Sequence, residues 1–539
     1  MLVGQRGRAA ALGMVAIAMA AGALLAVFVS SAGSARAAAQ APASFEVDVA
    51  DGVGAGEPEL ALDSVHHTVV ISYSANERCK IAVSADAGKT WRIVPHPADP
   101  GAMPGNPNHN CSDPAATSGL GDALYVGAGW WDQPAGAVDY YNMYVSRSTD
   151  GGRTWGPSVF ATGDMDAVQN AALGRNSAHT DRLFLTADSS TGTVYGSAVD
   201  FPRQQRWIVA SHDGGRSFGA PHAIDSVDYP EAGVPNDYIP SAANGVVAIS
   251  YVAAGVQGTN ACPCNVFETS KDDGITWTRH PSPIAAEWTA ADPAHAGRFA
   301  VMTGFGITAR TSTPDSIVVS STSDYGKTWS EPVDIGQSPA NMRYQPWIGY
   351  SPTGVLGVGY KTVYGGITGG PYDYWAAISY DGGRSFGAPI RMSHEISPSE
   401  GPGNNGGDDF TGIALDERYL YAAWADERSK NGGGLSLYFA RVRLTSAPAG
   451  TPTPASTPKP VKTCRSHRTI RFTLPEAATH VRVTIDGRTR TLPRHGRILT
   501  LKLTGLPRRA VKVLIRARSG RRKYKRATTL HPCTRGRRI

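Results

Sequence analysis

The chain has 539 residues, 41% of them apolar, and carries 52 Lys/Arg against 45 Asp/Glu, a formal charge of +7. That length and apolar share allow several domains with buried cores, and no segment after residue 30 is long and apolar enough to span a membrane as a helix. The net charge hides a split: residues 462–539 hold 23 Lys/Arg and 2 Asp/Glu, a formal +21, and the rest of the chain is a formal −14.

Arg6 and Arg8 precede an Ala-, Val- and Leu-rich stretch from Ala9 to Ser30, and small residues end near Ala37-Ala38-Ala39. Residues 1–39 read as a secretory signal with cleavage near Gln40, which makes the protein secreted or associated with the cell envelope. The apolar stretch is long for a signal, so an uncleaved membrane anchor is the other reading. Export permits disulfides, and there are six cysteines. Cys464 and Cys533 bracket the C-terminal segment and are expected to pair. Cys79 and Cys111, in adjacent repeat segments, are expected to pair across them. Cys262 and Cys264 form a tight local bridge or pair elsewhere.

Between residues 84 and 386 one short pattern occurs six times: SADAGKTW, STDGGRTW, SHDGGRSF, SKDDGITW, TSDYGKTW and SYDGGRSF. Its aspartates are Asp86, Asp150, Asp213, Asp272, Asp324 and Asp381, spaced 52 to 64 residues apart. An Asp carboxylate accepts from the N–H groups just after it, and Gly supplies the positive φ of such a turn. The Trp or Phe then places an apolar ring between neighbouring sheets. All these roles are structural, so the box aspartates are read as turn-makers and not as catalysts.

Each box sits between two strand-like runs, Lys80 to Val83 and Arg92 to Val94 in the first repeat, and two further runs precede them. In the first repeat the preceding pair is Pro58 to Leu62 and Thr68 to Tyr73; in the second it is Asp113 to Thr117 and Ala123 to Ala128. Four strands per repeat, with the box between the third and fourth, is the layout of a propeller blade. The boxes in this setting resemble the Asp-box (BNR-repeat) β-propellers of the sialidase-like superfamily, over residues 40–445. After the sixth repeat come Phe410 to Leu415, Tyr419 to Trp424 and Leu435 to Val442, which lack a fourth partner. The early run Ser44 to Val49 can supply it and close the ring. The expectation is an all-β, seven-bladed Asp-box propeller, with six blades as the alternative, followed by a small β-sandwich. The resemblance gives catalytic sialidases six blades.

The residues just before each inner strand surround one mouth of such a ring, opposite the boxes. They include Glu59; Asp113; Asp181 and Arg182; Asp237; Arg343 and Tyr344; and Asp408 and Asp409. The resemblance implies an arginine clamp for a substrate carboxylate, a Tyr activated by Glu, and an Asp acid/base catalyst. The motif that carries the first arginine, placed before the first box, is missing; Arg92-Ile93-Val94-Pro95 follows the box and is not equivalent. The catalytic candidates are Asp113, Asp237, Arg343 and Tyr344. The ligand-binding candidates are Glu59, Trp130, Trp131, Asp181, Arg182, Asp408 and Asp409, since aromatic faces beside polar groups suit sugar rings. Two carboxylates, one protonated and one ionised, suffice for glycoside hydrolysis. The same carboxylates suit Ca2+, although no cofactor is required. The partner is then a glycan or glycoconjugate, met either by an exo-acting sialidase-like glycoside hydrolase or by a non-catalytic surface-binding propeller.

Residues 446–461 are Pro-, Thr-, Ser- and Ala-rich and read as a stiff secreted-type linker. Residues 462–539 alternate with period 2 in Thr469 to Leu474, His480 to Ile485, Ile498 to Leu503 and Val511 to Ala517. They read as a disulfide-closed basic β-sandwich, similar to Ig-like tail modules, that meets an acidic cell-envelope polymer electrostatically. Export argues against nucleic acid, and the protein is expected to be a monomer.

Overall fold

The computed structural model describes residues 44–76, 78–102, 109–132, 140–161, 180–200, 205–224, 239–252, 265–303, 317–335, 341–364, 370–398, 410–429 and 434–445, and in the tail 469–474, 478–485, 488–490, 494–502, 511–519 and 522–530. The chain divides into two compact units, Met1–Ser446 and Ala447–Ile539. No helix among the described residues is long and apolar enough to cross a membrane.

In the first unit, strand β1 (Ser44–Ala50) precedes a series of antiparallel meanders. Sheet 1 contains β2 (Ala55–Asp63), β3 (Thr68–Ala75), β4 (Cys79–Ser84) and β5 (Arg92–Pro95). Sheet 2 contains β6 (His109–Ser118), β7 (Leu124–Asp132), β8 (Tyr140–Ser148) and β9 (Val159–Phe160). Sheet 3 contains β10 (Thr180–Ala187), β11 (Val194–Asp200), β12 (Gln205–Ser211) and β13 (His222–Ala223). Sheet 4 contains β14 (Ser241–Ala243), β15 (Val246–Val252), β16 (Asn265–Ser270) and β17 (Thr278–Pro281). Sheet 5 contains β18 (Trp288–Ala291), β19 (Phe299–Met302), β20 (Ile317–Thr322) and β21 (Val333–Ile335). Sheet 6 contains β22 (Asn341–Tyr350), β23 (Leu356–Tyr364), β24 (Tyr372–Ser379) and β25 (Ile390–Arg391). The last three strands are β26 (Gly412–Leu415), β27 (Tyr419–Asp426) and β28 (Ser436–Arg443), and β1 completes their sheet by pairing antiparallel with β28.

Among the described residues, then, seven four-stranded sheets succeed one another. Their first strands pack side by side in the order β2, β6, β10, β14, β18, β22, β26, and β26 returns to β2. Apolar clusters fill each seam: Val70, Ile81 and Val83 of sheet 1 pack with Leu124 and Val126 of sheet 2. Between the last sheet and sheet 1, Phe439, Tyr421 and Ala423 pack with Leu60, Ile71 and Tyr73.

The boxes join third to fourth strands and follow one hydrogen-bond scheme. Ser148 Oγ donates to Asp150 Oδ1 (2.8 Å) and accepts from the Gly152 N–H (2.9 Å). The Thr154 N–H and Oγ1–H both donate to the Asp150 carboxylate, at 3.0 and 2.6 Å. The residue before the box glycine also has positive φ, and it is not always glycine: Ala87, Asp273 and Tyr325 sit at 57°, 63° and 63°. Glycine at the next position answers to packing, because a Cβ on Gly88 would lie 2.1 Å from the Phe439 ring of the preceding sheet. The box aromatics wedge into the same seams, Trp91 against Phe439 (4.9 Å) and Trp329 against Phe267 (5.1 Å). The box aspartates and hydroxyls are thus engaged in closing the turns, and these two rings in packing the seams.

The second unit has a three-stranded sheet, β29 (Thr469–Thr473), β33 (Ile498–Lys502) and β32 (Arg494–His495), and a four-stranded one, β31 (Arg488–Arg490), β30 (Ala478–Ile485), β34 (Val511–Ser519) and β35 (Arg522–Leu530). Phe472, Leu499 and Leu501 of the first pack with Val483, Val513 and Ile515 of the second. On the outer face of the larger sheet Arg482, Arg516 and Lys525 stand directly opposite one another on three strands, and Arg518 stands opposite Lys523. All five are exposed. Cys464 and Cys533 lie outside the described residues, as do Cys262 and Cys264.

Candidate functional site

A first strand is paired on one edge only, so its other edge presents backbone groups toward the ring axis. Neighbouring strands satisfy part of that edge with side chains. The Leu62 N–H donates to Ser118 Oγ (2.7 Å), the Ala242 N–H to Thr186 Oγ1 (3.3 Å) and the Ala291 N–H to Ser241 Oγ (2.9 Å). Between β2 and β6 carboxylates do this work: the Asp113 N–H donates to Glu57 Oε2 (3.1 Å) and the Ala116 N–H to Glu59 Oε2 (2.9 Å).

The entries of these strands are bulged. Register shifts fall between Gly56 and Glu59, Ser112 and Ala115, Asp181 and Phe184, and Tyr344 and Trp347. Glu57, Asp113 and Gln345 hold positive φ at these bulges, 51°, 47° and 47°, and each precedes a proline. Such a conformation costs a non-glycine residue about 1–3 kcal/mol and persists where the surroundings over-determine it. The bulge also explains a difference from the sequence reading. Glu57 and Asp113 lie inside β2 and β6, which start upstream of the expected runs, because pairing resumes beyond the extra residue.

The first residue paired after the bulge points at the axis. In sheets 3 and 6 it is Phe184 and Trp347, and Trp288 opens the pairing of β18 in sheet 5. With Phe410 these rings meet across the ring centre: Phe184–Phe410 5.3 Å, Trp288–Trp347 5.0 Å, Trp347–Phe410 6.3 Å. Sheet 1 places Glu59 at this position and sheet 2 places the small Ala115. Glu59 is fully buried, and burial raises its pKa well above 4.5; the Ala116 N–H opposes the shift and the Asp113 charge adds to it. Glu59 and Trp347 line an axial cavity of about 370 Å3 that extends to the turns after the first strands, where Ser64, Ser189, Pro293 and Asp416 line it. Those turns lie beside the boxes, since the Ala87 N–H donates to His67 O and the Tyr325 N–H to Gly297 O. The cavity therefore runs toward the box side, whereas the sequence reading looked to the opposite mouth.

The structure brings Glu59 and Asp113 together. Asp181 and Arg182 lie at the bulge of β10, and Arg343 and Tyr344 at that of β22, a placement described for their backbone. Asp237, Asp408 and Asp409 lie outside the described residues. Trp130 is buried away from the axis and stacks on His109 (5.1 Å, 12°), and Trp131 beside it is half-buried on β7. Cys79 and Cys111 form a disulfide between β4 and β6. Arg92 donates to Gly152 O in the next sheet (3.1 Å), a seam contact. Sequence reasoning missed the aromatic cluster; the common phase of Phe184, Trp288 and Trp347 ahead of their turns was the available signal. A buried Tyr–carboxylate–Arg arrangement does exist, with Tyr251 donating to Glu268 (2.6 Å) and Arg279 paired with the same carboxylate, but it lies within sheet 4 and not on the axis. Among the described residues no group of three His, Cys, Asp or Glu side chains is placed to hold a metal ion.

Boxed turns on successive four-stranded antiparallel sheets give the layout of an Asp-box β-propeller. Residues 141–345 match the model of the BNR repeat-like domain. No curated protein matches the chain. Among solved structures it is similar to a Dyadobacter fermentans protein of unknown function (12% identity, 75% of this chain and 100% of that one, TM-score 0.42). It is also similar to a Hadza microbial sialidase (16%, 70% and 73%, 0.41) and to an ulvan lyase of a polysaccharide lyase family (14%, 73% and 95%, 0.39).

Proposed function

We propose that this propeller acts on glycans at the ring axis, in its best-defined form as an exo-acting, sialidase-like glycoside hydrolase. One observation carries the reading: Glu59 occupies the axial position that other sheets fill with aromatic rings, and it is buried beside Asp113, with its pKa raised by that burial. A carboxyl group with a raised pKa is suited to protonating a leaving oxygen, and a second carboxyl group beside it to acting as base or nucleophile. Trp347, which lines the cavity, supplies an apolar face for a sugar ring. Arg343, Tyr344 and Asp237 remain candidates for holding the substrate. Export and the basic second unit extend the proposal to a secreted protein retained on an acidic envelope polymer.

The second reading, a non-catalytic glycan-binding propeller, is favoured by the staple role of Glu57 and Glu59, since each engages a β6 N–H. The test is release of a fluorophore from sialosides and a panel of neutral glycosides by purified mature protein. Glu59→Gln keeps the acceptor for Ala116 and loses the proton, so turnover should fall by about a hundredfold or more; Asp113→Asn should do the same. Unchanged turnover in both variants refutes the assignment, and absence of turnover on every glycoside leaves the binding reading.

A further inference from the structure

The walls of the axial cavity are specific about what they can hold. Three of the side chains lining it are hydroxyls that staple one first strand to another: Ser118, Thr186 and Ser241. Ser118 Oγ accepts from the Leu62 N–H, Thr186 Oγ1 from the Ala242 N–H and Ser241 Oγ from the Ala291 N–H. A hydroxyl that accepts keeps its own hydrogen to donate. Among the described residues none of these three has an acceptor for it. In an antiparallel pair the N–H and C=O of one residue point to the same side. The carbonyls of Leu62, Ala242 and Ala291 therefore face the axis together with the stapled N–H groups. Between these polar points stand Leu60, Leu185, Ile348, Ile413 and Trp347.

Cations are missing from this wall: among the described residues no Lys, Arg or His lines the cavity, and its acids are Glu59 and Asp416. The Asp416 carboxylate is engaged by the Arg418 and Tyr419 N–H groups and the Tyr421 hydroxyl, at 2.6, 2.7 and 2.7 Å. Ser64, Gly121, Ser189 and Pro352 are lining residues that are also exposed, so the opening lies at the turns on the box side. The contacts among Phe184, Trp288, Trp347 and Phe410 stand at the other end. A volume of about 370 Å3 falls in the range of small-molecule sites.

We propose that the axial cavity takes one uncharged sugar ring, entering from the box side. Ser118, Thr186 and Ser241 donate to its oxygens, and the inward carbonyls accept from its hydroxyls. The proposal rests on the glycan reading of the axis and names the substrate class, selecting neutral glycosides over sialosides; it does not rest on the chemistry of Glu59. An anionic sugar would meet two carboxyl groups and no cation in a buried setting, which is costly. An apolar guest would leave three hydroxyls without acceptors. Water alone would leave the aliphatic walls and Trp347 without a partner surface.

Isothermal titration of the purified full chain with the methyl glycosides of glucose, galactose, mannose and fucose tests this, with N-acetylneuraminate and D-glucuronate as anionic comparisons. At least one neutral glycoside should bind about tenfold or more tighter than either acid. Ser64→Trp/Ser189→Trp places two large rings on the exposed rim, and closing the entrance should weaken that binding about tenfold or more. Its denaturant midpoint should stay at the parent value. Thr186→Val keeps the shape, removes the hydroxyl and should weaken binding about tenfold. Failure of every neutral glycoside to bind, equal binding of an acid, or indifference to the rim pair or to Thr186→Val overturns the proposal. Binding is read without turnover. A protein that binds a neutral glycoside and cleaves none supports this site and retires the hydrolase. Cleavage of neutral glycosides that the rim pair leaves untouched keeps the hydrolase and overturns this site.

Discussion

Gly88→Ala separates the two demands that meet in every box, backbone handedness and packing against the preceding sheet. Gly88 has φ +89°, and a Cβ there would lie 2.1 Å from Phe439 Cε1 and 2.5 Å from Cζ. Phe439 is fully buried, with Trp91 at 4.9 Å and Tyr421 at 6.0 Å, so it has no free side to retreat to. A left-handed non-glycine residue costs about 1–2 kcal/mol, and forcing a methyl into a packed seam costs about 1–3 kcal/mol more. The substitution should therefore destabilise the propeller by about 2–5 kcal/mol. Gly101 is the control: its φ is +80°, and a Cβ there meets nothing within 4 Å. Gly101→Ala should cost only the backbone part, about 1–2 kcal/mol. Denaturant midpoints for the two variants and the parent read the difference directly. Equal shifts would refute the packing argument, because backbone handedness would then account for the whole effect.

Acid should act on the boxes. The Thr154 hydroxyl and N–H hold the Asp150 carboxyl down from 3.8 to about 2, and Asp86 sits at about 2 as well. A depressed pKa contributes stability above the unfolded value, so this part should be lost as pH falls from about 4 through about 2. These groups are solvent-exposed, so the effect should be modest and weaker in salt; a thermal midpoint that is flat across that window, or no flatter in Asp150→Asn, would contradict it. Opening the Cys79–Cys111 bridge by Cys→Ser changes at both positions, 32 residues apart, should cost about 4 kcal/mol in the chain-entropy model, read from the denaturant midpoint. Removing residues 446–539 should abolish salt-sensitive retention on cell envelopes, and unchanged retention would sink the attachment reading; Arg516→Ala/Lys525→Ala in the full chain should lower the salt needed for elution.

The architecture was legible because the box couples local chemistry to tertiary position. Ser148, Asp150 and Thr154 close the turn by themselves, and Gly152 and the box aromatic dock on the neighbouring sheet, so turn and seam are written in one stretch of eight residues. The composite sheet was legible for a different reason: Ser44–Ala50 was a strand without a sheet, and β26 to β28 a sheet without its fourth strand. Bulges were not legible. Glu57-Pro58 and Asp113-Pro114 read as strand entries, and nothing local says that pairing continues upstream of them. The stacking of Trp130 on His109 and its burial at a seam were not legible either, because they depend on strands far apart in sequence.

The axis shows why a repeat so readable leaves its site obscure. Several sheets contribute one residue each to the ring centre, so the centre is composed across sheets and no contiguous motif encodes it. Phe184, Trp288 and Trp347 make that position an apolar plug, and a carboxylate there is out of character for a core. Burial without an ion pair should select against Glu59 unless its proton or its ligand gives a return. Its bond to the Ala116 N–H supplies part of that return, but Ser or Thr performs the same staple elsewhere in the ring without the desolvation cost of a carboxylate. Glu59→Gln divides the two roles. Folded-state pKa elevation means that Glu59 supports stability below about 4.5 and weighs against it as pH rises toward the raised value. The amide should therefore match or exceed the parent in thermal midpoint at pH 8 while losing turnover. A variant less stable than the parent at pH 8 would show that the carboxyl group is held for the fold.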